Sequence, residues 1–460
     1  MAPCVTSPPT PAMNEALAMV DILGVIFEAC LAFDISITWQ NDVRQKMALG
    51  AVCRCWKLAL ESIPALWSHI ILVPRMPLYY IDKVFWLAKA TPKHLSIELD
   101  LDSGRDITFL SHIAALLVAK ASSVAYLSLQ YWSYFVWGAF IRYISALNPR
   151  PTFSSLRKFS ATPADTSIDS ATTLPRPFPG LAQSLEHLHL DGLPPCSFMA
   201  GFNIKTLVFR HYNLVSNRVA SSAFTPTLLD CFRQLPRLES LAIDVTEPFI
   251  AQSPSYHPVV LPRLNYLAFC CDTPYPHACG TLISLLHVPQ IRTLALRLAS
   301  LSNTNDFLSI NATRISQVTT LRLIGAISAY IEFTGGRARL LSGLTGNKLR
   351  ILDFLDASGT LEFDPGRKVL VQTRFLDIIA HALALPTVHH LVVPLLLSPI
   401  YPDSHASLIR SLFEPVSIHG KGKHIFENHA LCHVSDSVHS NCGRHWTWDY
   451  HGLHWERYKS

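Results

Sequence analysis

A nine-residue pattern that occurs four times along the chain constrains the fold more than any other feature of the sequence. It reads aliphatic, Pro, any, aliphatic, any, any, Leu, any, apolar. The copies begin at Leu235, Leu261, Val288 and Leu385. Because four chance copies of such a pattern in 460 residues are improbable, the sequence predicts an array of repeated structural units.

A shorter form of the same pattern, L-x-x-L-x-L without the proline, extends the array in both directions. Its copies begin at Leu185, Ile204, Val318 and Leu349, with weaker ones at Lys93, Val124 and Leu156. The copies lie roughly 20–40 residues apart, a spacing typical of repeats built from one strand and one further element.

The segments between these copies carry helical patterns. Residues Thr225 to Leu235, Thr281 to His287 and Arg374 to Leu385 are predicted helices, each ending next to the proline of the pattern. Proline disfavours helical backbone in the residue before it, so it ends a helix and starts an extended segment. Repetition of helix, proline and short strand predicts an α/β repeat fold with parallel strands on a concave face and helices outside.

The N-terminal part of the chain has a different, all-helical pattern. Residues 1–14 are rich in Pro, Ser and Thr and are predicted to be disordered. Apolar residues recur at steps of three or four over residues 15–33, which indicates a helix. After the polar stretch 34–45, a second helical run starts near Met47, and Pro64 ends it or opens a further turn.

Two segments of this helical part resemble the F-box domain. DILGVIFEACL, from Asp21, is similar to the first F-box helix, although Ala18 and Met19 replace the Leu-Pro with which that helix usually begins. LGAVCRCWKLALESIPALWSHIIL, from Leu49, is similar to the second half of F-box-like domains common in fungi. The matching residues there are Val52, Cys53, Trp56, Ala59, Pro64, Leu66 and Trp67.

The resemblance implies a substrate-recruiting subunit of a cullin–RING (SCF-type) ubiquitin ligase. The F-box would bind the ligase adaptor subunit, and the repeats would hold an unknown target protein. Such a subunit is not an enzyme, because it acts by raising the concentration of the target near the ligase. The expected adaptor-binding residues are Ile22, Leu23, Ile26, Phe27, Leu31, Val52, Trp56, Pro64 and Leu66.

The same residues could instead form the plain core of a small helical domain. Trp67 in particular is expected to be internal. The missing Leu-Pro favours an alternative function, a leucine-rich-repeat-like interaction scaffold with a degenerate F-box and no ligase.

The repeats resemble, in their short strand core, the leucine-rich repeats often attached to F-boxes. The resemblance implies an irregular solenoid after a small helical F-box-like domain. The expected organisation is a lead (1–14), an F-box-like domain (15–74), a solenoid (75–418, with a loop inserted at about 160–180) and a His- and aromatic-rich cap or tail (419–460).

The alternation of side chains along a strand predicts which repeat residues bind a partner. If the repeated leucines face the core, the positions between them face the concave surface. The residues selected in this way are His187, His189, Asp191, Arg210, Asp244, Tyr266, Arg297, Arg322, Asp353 and His390. The alternative is that they are merely the solvated face of the sheet.

The sequence carries no motif for catalysis or cofactor binding. GLTGNK, from Gly343, lacks the length and the ending of a phosphate-binding loop, and neither G-x-S-x-G nor H-E-x-x-H occurs. The His and Cys residues after His419 do not have the ligand spacing of a zinc finger. We therefore expect no cofactor and no metal, with nucleic-acid contacts by the basic and aromatic tail as an alternative for that segment.

Composition and net charge narrow the classes of protein to which the chain could belong. Hydrophobic residues make up 49% and charged residues 15%, so disorder as the global state is excluded. The net charge of +5 comes from scattered Lys and Arg, which does not favour a nucleic-acid partner. Without a secretory signal or a membrane-spanning run, we expect a cytoplasmic or nuclear protein with reduced thiols, most of them buried, as at Cys30, Cys53, Cys231 and Cys270.

Overall fold

The computed structural model of the chain divides into two compact units, unit 1 (residues 1–185 with 458–460) and unit 2 (186–457). The structure describes residues 11–31, 39–100, 104–148, 152–163, 184–191, 203–211, 228–245, 257–271, 283–298, 300–324, 327–334, 337–353, 378, 381–382, 385, 387–388, 390–392, 447–449 and 452–454. Both units contain parallel strands, and the fold is mixed α/β as the sequence predicts.

Unit 1 begins with a helical module, which we define as residues 11–67. It contains α1 (Pro11–Cys30), α2 (Trp39–Ala51), α3 (Arg54–Ser62) and the 3-10 turn Pro64–Trp67. The expectation of a disordered lead is wrong for residues 11–14, where proline occupies the first helical position, as it commonly does.

The single predicted helix from Met47 is instead two helices. The first, α2, begins at Trp39 within the predicted polar stretch. The helical backbone is interrupted at Cys53, whose own backbone is extended (φ −162°) and whose Sγ accepts a hydrogen bond from Trp56 N at 3.4 Å. Cys53 therefore acts as the N-cap of α3 and sets the direction in which this helix leaves the break.

After the module, unit 1 alternates parallel strands with helices. The strands are β1 (His69–Leu72), β2 (Lys93–Leu99), β3 (Val124–Tyr131) and β4 (Lys158–Pro163), paired in that order. The helices between them are α4 (Leu78–Leu87), α5 (Gly104–Lys120) and α6 (Tyr134–Leu147). Because Ser160 to Pro163 lie in β4, the predicted insertion begins later than residue 160, and its remainder lies outside the described residues.

Unit 2 also consists mainly of parallel strands that pair in chain order. Its parallel strands are β5 (His187–Asp191), β6 (Thr206–His211), β7 (Ser240–Val245), β9 (Tyr266–Cys271), β11 (Thr293–Leu298), β12 (Thr320–Ile324), β15 (Ile351–Asp353) and β16 (His390–Val392), paired in that order. Helix α7 (Leu301–Ile315) lies between β11 and β12. Of the three predicted helices, residues 228–233, 283–284, 378 and 381–382 are described as helical.

Smaller pairings complete unit 2. The short strands β8 (Val259–Val260) and β10 (Leu286–His287) are parallel, so the predicted helix up to His287 ends earlier than expected. The strands β13 (Ile331–Thr334) and β14 (Arg337–Leu340) form an antiparallel pair. A second antiparallel pair, β17 (Thr447–Asp449) and β18 (Gly452–His454), lies in the predicted tail.

The repeated pattern has a direct structural meaning. In all four copies the N–H of the fourth residue donates to the carbonyl of the first, closing a turn just before a strand, with N···O distances of 3.1 Å (Leu235), 3.3 Å (Leu261), 3.4 Å (Val288) and 3.3 Å (Leu385). The two aliphatic residues of this turn are buried in the copies from Leu235, Leu261 and Val288. The pattern thus ends one element, turns the chain and starts the next strand.

The seventh position of the pattern is a row of leucines. One leucine per strand stands in register across the eight strands β5, β6, β7, β9, β11, β12, β15 and β16: Leu188, Leu207, Leu241, Leu267, Leu294, Leu321, Leu352 and Leu391. The seven of these whose side chains are described are buried. Since side chains alternate along a strand, the positions on either side of each leucine lie on the opposite face, which we call the outer face.

The cysteines differ from expectation. Cys30 and Cys53 are exposed, as is Cys55, whereas Cys231 and Cys270 are buried free thiols. Cys271 is bound in a disulfide, so the expectation of uniformly reduced thiols is wrong at this position. Its neighbour Cys270 lies on the outer face of β9 and Cys271 on the inner face, which follows from the alternation along the strand.

Candidate partner-binding surfaces

Helix α1 packs one of its faces against the rest of the helical module. A Cβ on Gly24 would lie 3.4 Å from Ile63 Cδ1, so the two elements are in close approach there. One turn later Phe27 is fully buried, with its ring edge-to-face against Trp56 at a centroid distance of 5.2 Å. Leu31 is buried as well. These contacts determine which face of α1 points away from the module.

The opposite face of α1 is apolar and exposed. It carries Ile22, Val25 and Ile26, whose exposed fractions are 61%, 69% and 39%. Residues three and four apart are neighbours on a helix, so these three side chains form one patch, which we call the α1 patch. Apolar side chains grouped on a small module are typical of a surface that binds another protein.

Exposed aliphatic side chains also occur on the following helices. They are Met47 on α2, Val52 at the break before α3, and Leu58 on α3. Val52 was expected from the sequence, whereas Val25, Met47 and Leu58 were not. The hydrophobic periodicity of α1 could not reveal Val25, because this helix is apolar on nearly every side.

The expected adaptor-binding residues therefore fall into three groups. Ile22, Ile26 and Val52 are exposed; Leu23, Trp56 and Pro64 are half-buried; Phe27, Leu31 and Leu66 are buried. The third group contacts the protein's own core, so it supports the fold of the module rather than offering side chains to a partner.

Trp67 is internal, as expected from the sequence. Its indole Nε1 donates to Leu60 O at 2.8 Å, and Lys46 Nζ lies 5.0 Å from its ring centroid. Lys46 is almost completely buried and forms an ion pair with Asp42 at 2.8 Å. A buried ammonium needs such compensation, and here a carboxylate and an aromatic face provide it.

In unit 1 the outer face is the side of the strands opposite the buried, in-register residues Ile70, Leu95 and Leu127. An in-register row of polar rings crosses this face. The His69 and His94 rings lie 4.4 Å apart, His94 and Tyr126 lie 6.0 Å apart, and Lys158 Nζ lies 5.0 Å from the Tyr126 ring centroid. Burial, together with the neighbouring His94 and Lys46, lowers the pKa of His69 to about 4. Burial, followed by Lys158, also lowers the pKa of His94.

Acidification should therefore destabilise unit 1 through His69. Its pKa is about 4 in the folded chain, against an ordinary value of 6.5, so between these values only the unfolded chain binds the proton. The stabilisation is complete above pH 6.5 and is lost as the pH falls toward 4. We expect a loss of roughly 1–2 kcal/mol after discounting partial solvent exposure.

The measurement is denaturant unfolding of wild type and His69→Gln at several pH values over this window. His69→Gln should flatten the pH dependence. The matched control, His257→Gln at an exposed position of unit 2, should leave it unchanged. Equal slopes for wild type and His69→Gln would contradict the assignment.

Two residues further along β2, β3 and β4 from this row of rings, the outer face of unit 1 carries small polar side chains. Ser96, Ser128 and Ser160 stand in register across β2, β3 and β4. The next row is Glu98, Gln130 and Thr162. Sequence reasoning missed this polar face, although the alternation in KHLSIEL and VAYLSL was the signal that could have found it.

In unit 2 the structure places all ten expected partner-binding residues on the outer face of the strands, in three adjacent rows. The rows are His187, Tyr266 and His390; His189, Arg322 and Asp353; Asp191, Arg210, Asp244 and Arg297. For Arg210, Asp244 and His390 this is a statement of strand register, since their side chains lie outside the described part of the chain.

Several of these residues already bind each other. His189 Nε2 lies 3.1 Å from Asp191 Oδ1 on β5, and Arg322 Nε donates to Asp353 Oδ2 at 2.7 Å between β12 and β15. Both aspartates are buried. These charged side chains therefore stabilise the sheet by pairing with one another, whether or not they also contact a partner.

The middle of the same face is apolar. Val208, Ala242, Ala268 and Ala295 stand in register on four neighbouring strands, and all are buried. Tyr266 packs against this cluster. The expectation of a charged and aromatic face thus holds for its two ends, while small apolar side chains occupy its centre.

Among protein-family models and curated proteins, the comparison found no match to the chain. Within the described ranges, no helix is both long and apolar enough to cross a membrane. The same ranges contain no group of three or more His, Cys, Asp or Glu side chains arranged to hold a metal ion. The C-terminal His and Cys cluster lies largely outside them.

Proposed function

We propose that this chain is a substrate-recruiting F-box subunit of a cullin–RING ubiquitin ligase. The helical module binds the ligase adaptor, and the strand-rich region, a leucine-rich-repeat-like solenoid, binds the target. No catalytic residue is required, since the output is the proximity of target and ligase.

The α1 patch is the observation that carries the proposal. A module of three short helices buries Phe27 and Leu66 inside yet leaves Ile22, Val25 and Ile26 exposed in one group. Exposed aliphatic surface costs free energy in water, at about 25 cal/mol per Å², and a partner that covers it recovers that energy. The resemblance to the F-box suggests that this partner is the adaptor subunit of the ligase.

The repeated strands support the solenoid part of the proposal. Each copy of the pattern forms the same turn, and each following strand pairs in parallel with its predecessor. Stacked parallel strands form a long outer face, and a face of this kind suits recognition of an extended target. In unit 2 the centre of this face, around Ala268, is buried, so its two ends are the parts proposed to bind. The polar outer face of unit 1 and the charged ends of the unit 2 face are the surfaces proposed for this role.

One observation favours the alternative, an interaction scaffold without a ligase. Helix α1 runs without a break from Pro11 to Cys30, straight through Ala18 and Met19, where the F-box pattern has Leu-Pro. The helix start that this Leu-Pro would set is therefore absent, and a degenerate F-box would have this property.

Co-expression with a fungal ligase adaptor subunit separates the two functions. We expect the wild type to recover the adaptor, and Ile22→Asp with Ile26→Asp to reduce recovery at least about tenfold, because two aliphatic contacts are lost and two charges are introduced. Phe27 is unsuited to this test since it is buried. The matched control is Leu147→Asp with Val260→Asp, two exposed apolar positions on elements outside the module.

The outcomes are distinct. Loss of adaptor in the α1 variant with retention in the control, at equal thermal stability, supports the ligase subunit. A well-folded wild type that recovers no adaptor leaves the scaffold function and rejects the ligase.

A further inference from the structure

The edge of unit 1 at which its parallel strands end carries a second group of exposed apolar side chains. Strands β1, β2 and β3 are each followed by a helix, so the first turns of α4, α5 and α6 lie at this edge. Tyr79, Ile107 and Phe135 occupy those first turns, and Trp132 directly follows β3. We call these four residues the carboxyl-edge rim; their exposed fractions run from 45% for Trp132 to 75% for Tyr79.

The helices that carry the rim are neighbours. Asp82 on α4 lies 3.0 Å from His112 Nε2 on α5, and α5 packs against α6. The rim is therefore a row across adjacent helices rather than a set of scattered residues. In folds with parallel strands, the carboxyl edge is where ligands commonly bind, because the loops there are free of the packing that fixes the sheet.

Trp132 is held rigidly in this row. Its backbone N–H donates to Leu99 O at 3.1 Å, and its indole Nε1 donates to Glu98 Oε1 at 3.1 Å. The next residue, Ser133, caps α6 by accepting from Val136 N at 3.2 Å. An exposed tryptophan whose position is already determined loses little conformational entropy on binding, a property of residues that dominate interfaces.

The contact with Glu98 also sets the charge of the site. It places a half-exposed carboxylate beside an exposed indole ring. A guanidinium or ammonium group that stacks on the ring would meet this carboxylate as well, and both interactions favour a cation. An acidic group would be repelled, and so would an anionic membrane surface.

We propose that the carboxyl-edge rim binds a segment of the target protein that combines an Arg or Lys side chain with neighbouring apolar residues. The cation lies over Trp132 and beside Glu98, while Tyr79, Ile107 and Phe135 cover the apolar residues. This proposal rests on the proposed function only in taking the segment to belong to a ligase target.

The test uses the full-length protein and a phage library of random twelve-residue peptides, with depletion on a Trp132→Ala variant. Enriched peptides are then synthesised, and their affinity is measured by fluorescence anisotropy. We expect enriched sequences to place a basic residue next to aromatic or aliphatic ones. Trp132→Ala should weaken binding by about tenfold or more, as for an interface anchor.

Glu98→Gln supplies the specific test of the cation. It should weaken a peptide that carries Arg, and it should leave the same peptide with Arg replaced by norleucine unchanged. Trp86→Ala is the control. Trp86 is also an exposed tryptophan, but it lies on α4 at the end opposite Tyr79, so its replacement should not change peptide affinity. Circular dichroism melts of all three variants establish that they are folded.

Four results would overturn the proposal: no enrichment, enrichment of acidic peptides, equal affinity for wild type and Trp132→Ala, or self-association of the free chain that Trp132→Ala abolishes. The last would assign the rim to a second copy of this chain. Failure of the ligase proposal is separate. In that case Ile22→Asp with Ile26→Asp would still bind the peptide, while no adaptor would be recovered with any variant.

Discussion

Replacing Phe27 with alanine should destabilise the helical module more than any other single change in it. The side chain is fully buried and touches Trp56, so its removal leaves a cavity between α1 and α3. Truncation of a buried phenylalanine costs about 3–5 kcal/mol, from lost transfer free energy and from the cavity. A module of fewer than 60 residues has little stability in reserve, so we expect the Phe27→Ala module to be largely unfolded.

The neighbouring residue provides the control. Ile26→Ala removes a side chain that is 39% exposed, on the opposite face of the same helix. It should change the free energy of unfolding by less than about 1 kcal/mol. The measurement is hydrogen exchange of α1 and α3 backbone amides, read by mass spectrometry, since global unfolding would mix contributions from the rest of the chain.

The two variants, Phe27→Ala and Ile26→Ala, also distinguish a core residue from a residue of the proposed adaptor interface. We expect Phe27→Ala to lose both amide protection and adaptor, and Ile26→Ala to keep protection while weakening adaptor recovery. Retained protection in Phe27→Ala would show that this side chain does not hold α1 on the module. Phe27 would then belong with the α1 patch.

The strand region could be predicted from the sequence because its pattern is local. Proline, two aliphatic residues and a leucine at fixed spacing encode a turn and the strand after it within nine residues. The burial of Leu241 and Leu267 follows from the same alternation. The division of the chain after Leu185 is different in kind, since it depends on contacts between distant residues.

The faces of the helical module could not be predicted in the same way. Steps of three and four group Phe27 with Leu23 and Leu31 on one face of α1. Because this helix is apolar nearly all round, the pattern does not say that this face turns inward while Ile26 turns outward. That choice depends on contacts with other elements, such as those of Phe27 with Trp56 and of Gly24 with Ile63. The break at Cys53 was equally hidden, because a cysteine is an uncommon N-cap and the flanking residues favour helix.

The sequence predicted the sheet face on which the candidate residues lie, but not the contacts that they make with one another. Alternation put Arg322 and Asp353 on the outer face, and the structure places them there. Their ion pair follows from the pairing of β12 with β15 in register, which no local pattern contains. The apolar centre around Ala268 has the same origin, since each alanine is unremarkable until four strands align.

Tyr330→Phe should destabilise unit 2 without changing its packing. The side chain is fully buried, and its hydroxyl accepts from Leu298 N at 2.9 Å and lies 2.8 Å from the carbonyl oxygens of Leu296 and Ile324. It thus satisfies the carboxyl ends of β11 and β12 where the ladder between these strands stops. Phenylalanine fills the same space but leaves the Leu298 N–H buried without this acceptor, at a cost of about 1–3 kcal/mol.

Tyr79→Phe is the matched control, because Tyr79 is 75% exposed and its hydroxyl is open to water. We expect it to unfold at the wild-type denaturant concentration, whereas Tyr330→Phe unfolds at a lower one with faster exchange of the Leu298 amide. Identical midpoints for all three proteins would mean that another group or a water molecule takes over the Leu298 N–H. The Tyr330 hydroxyl would then add nothing to the stability of the ends of β11 and β12.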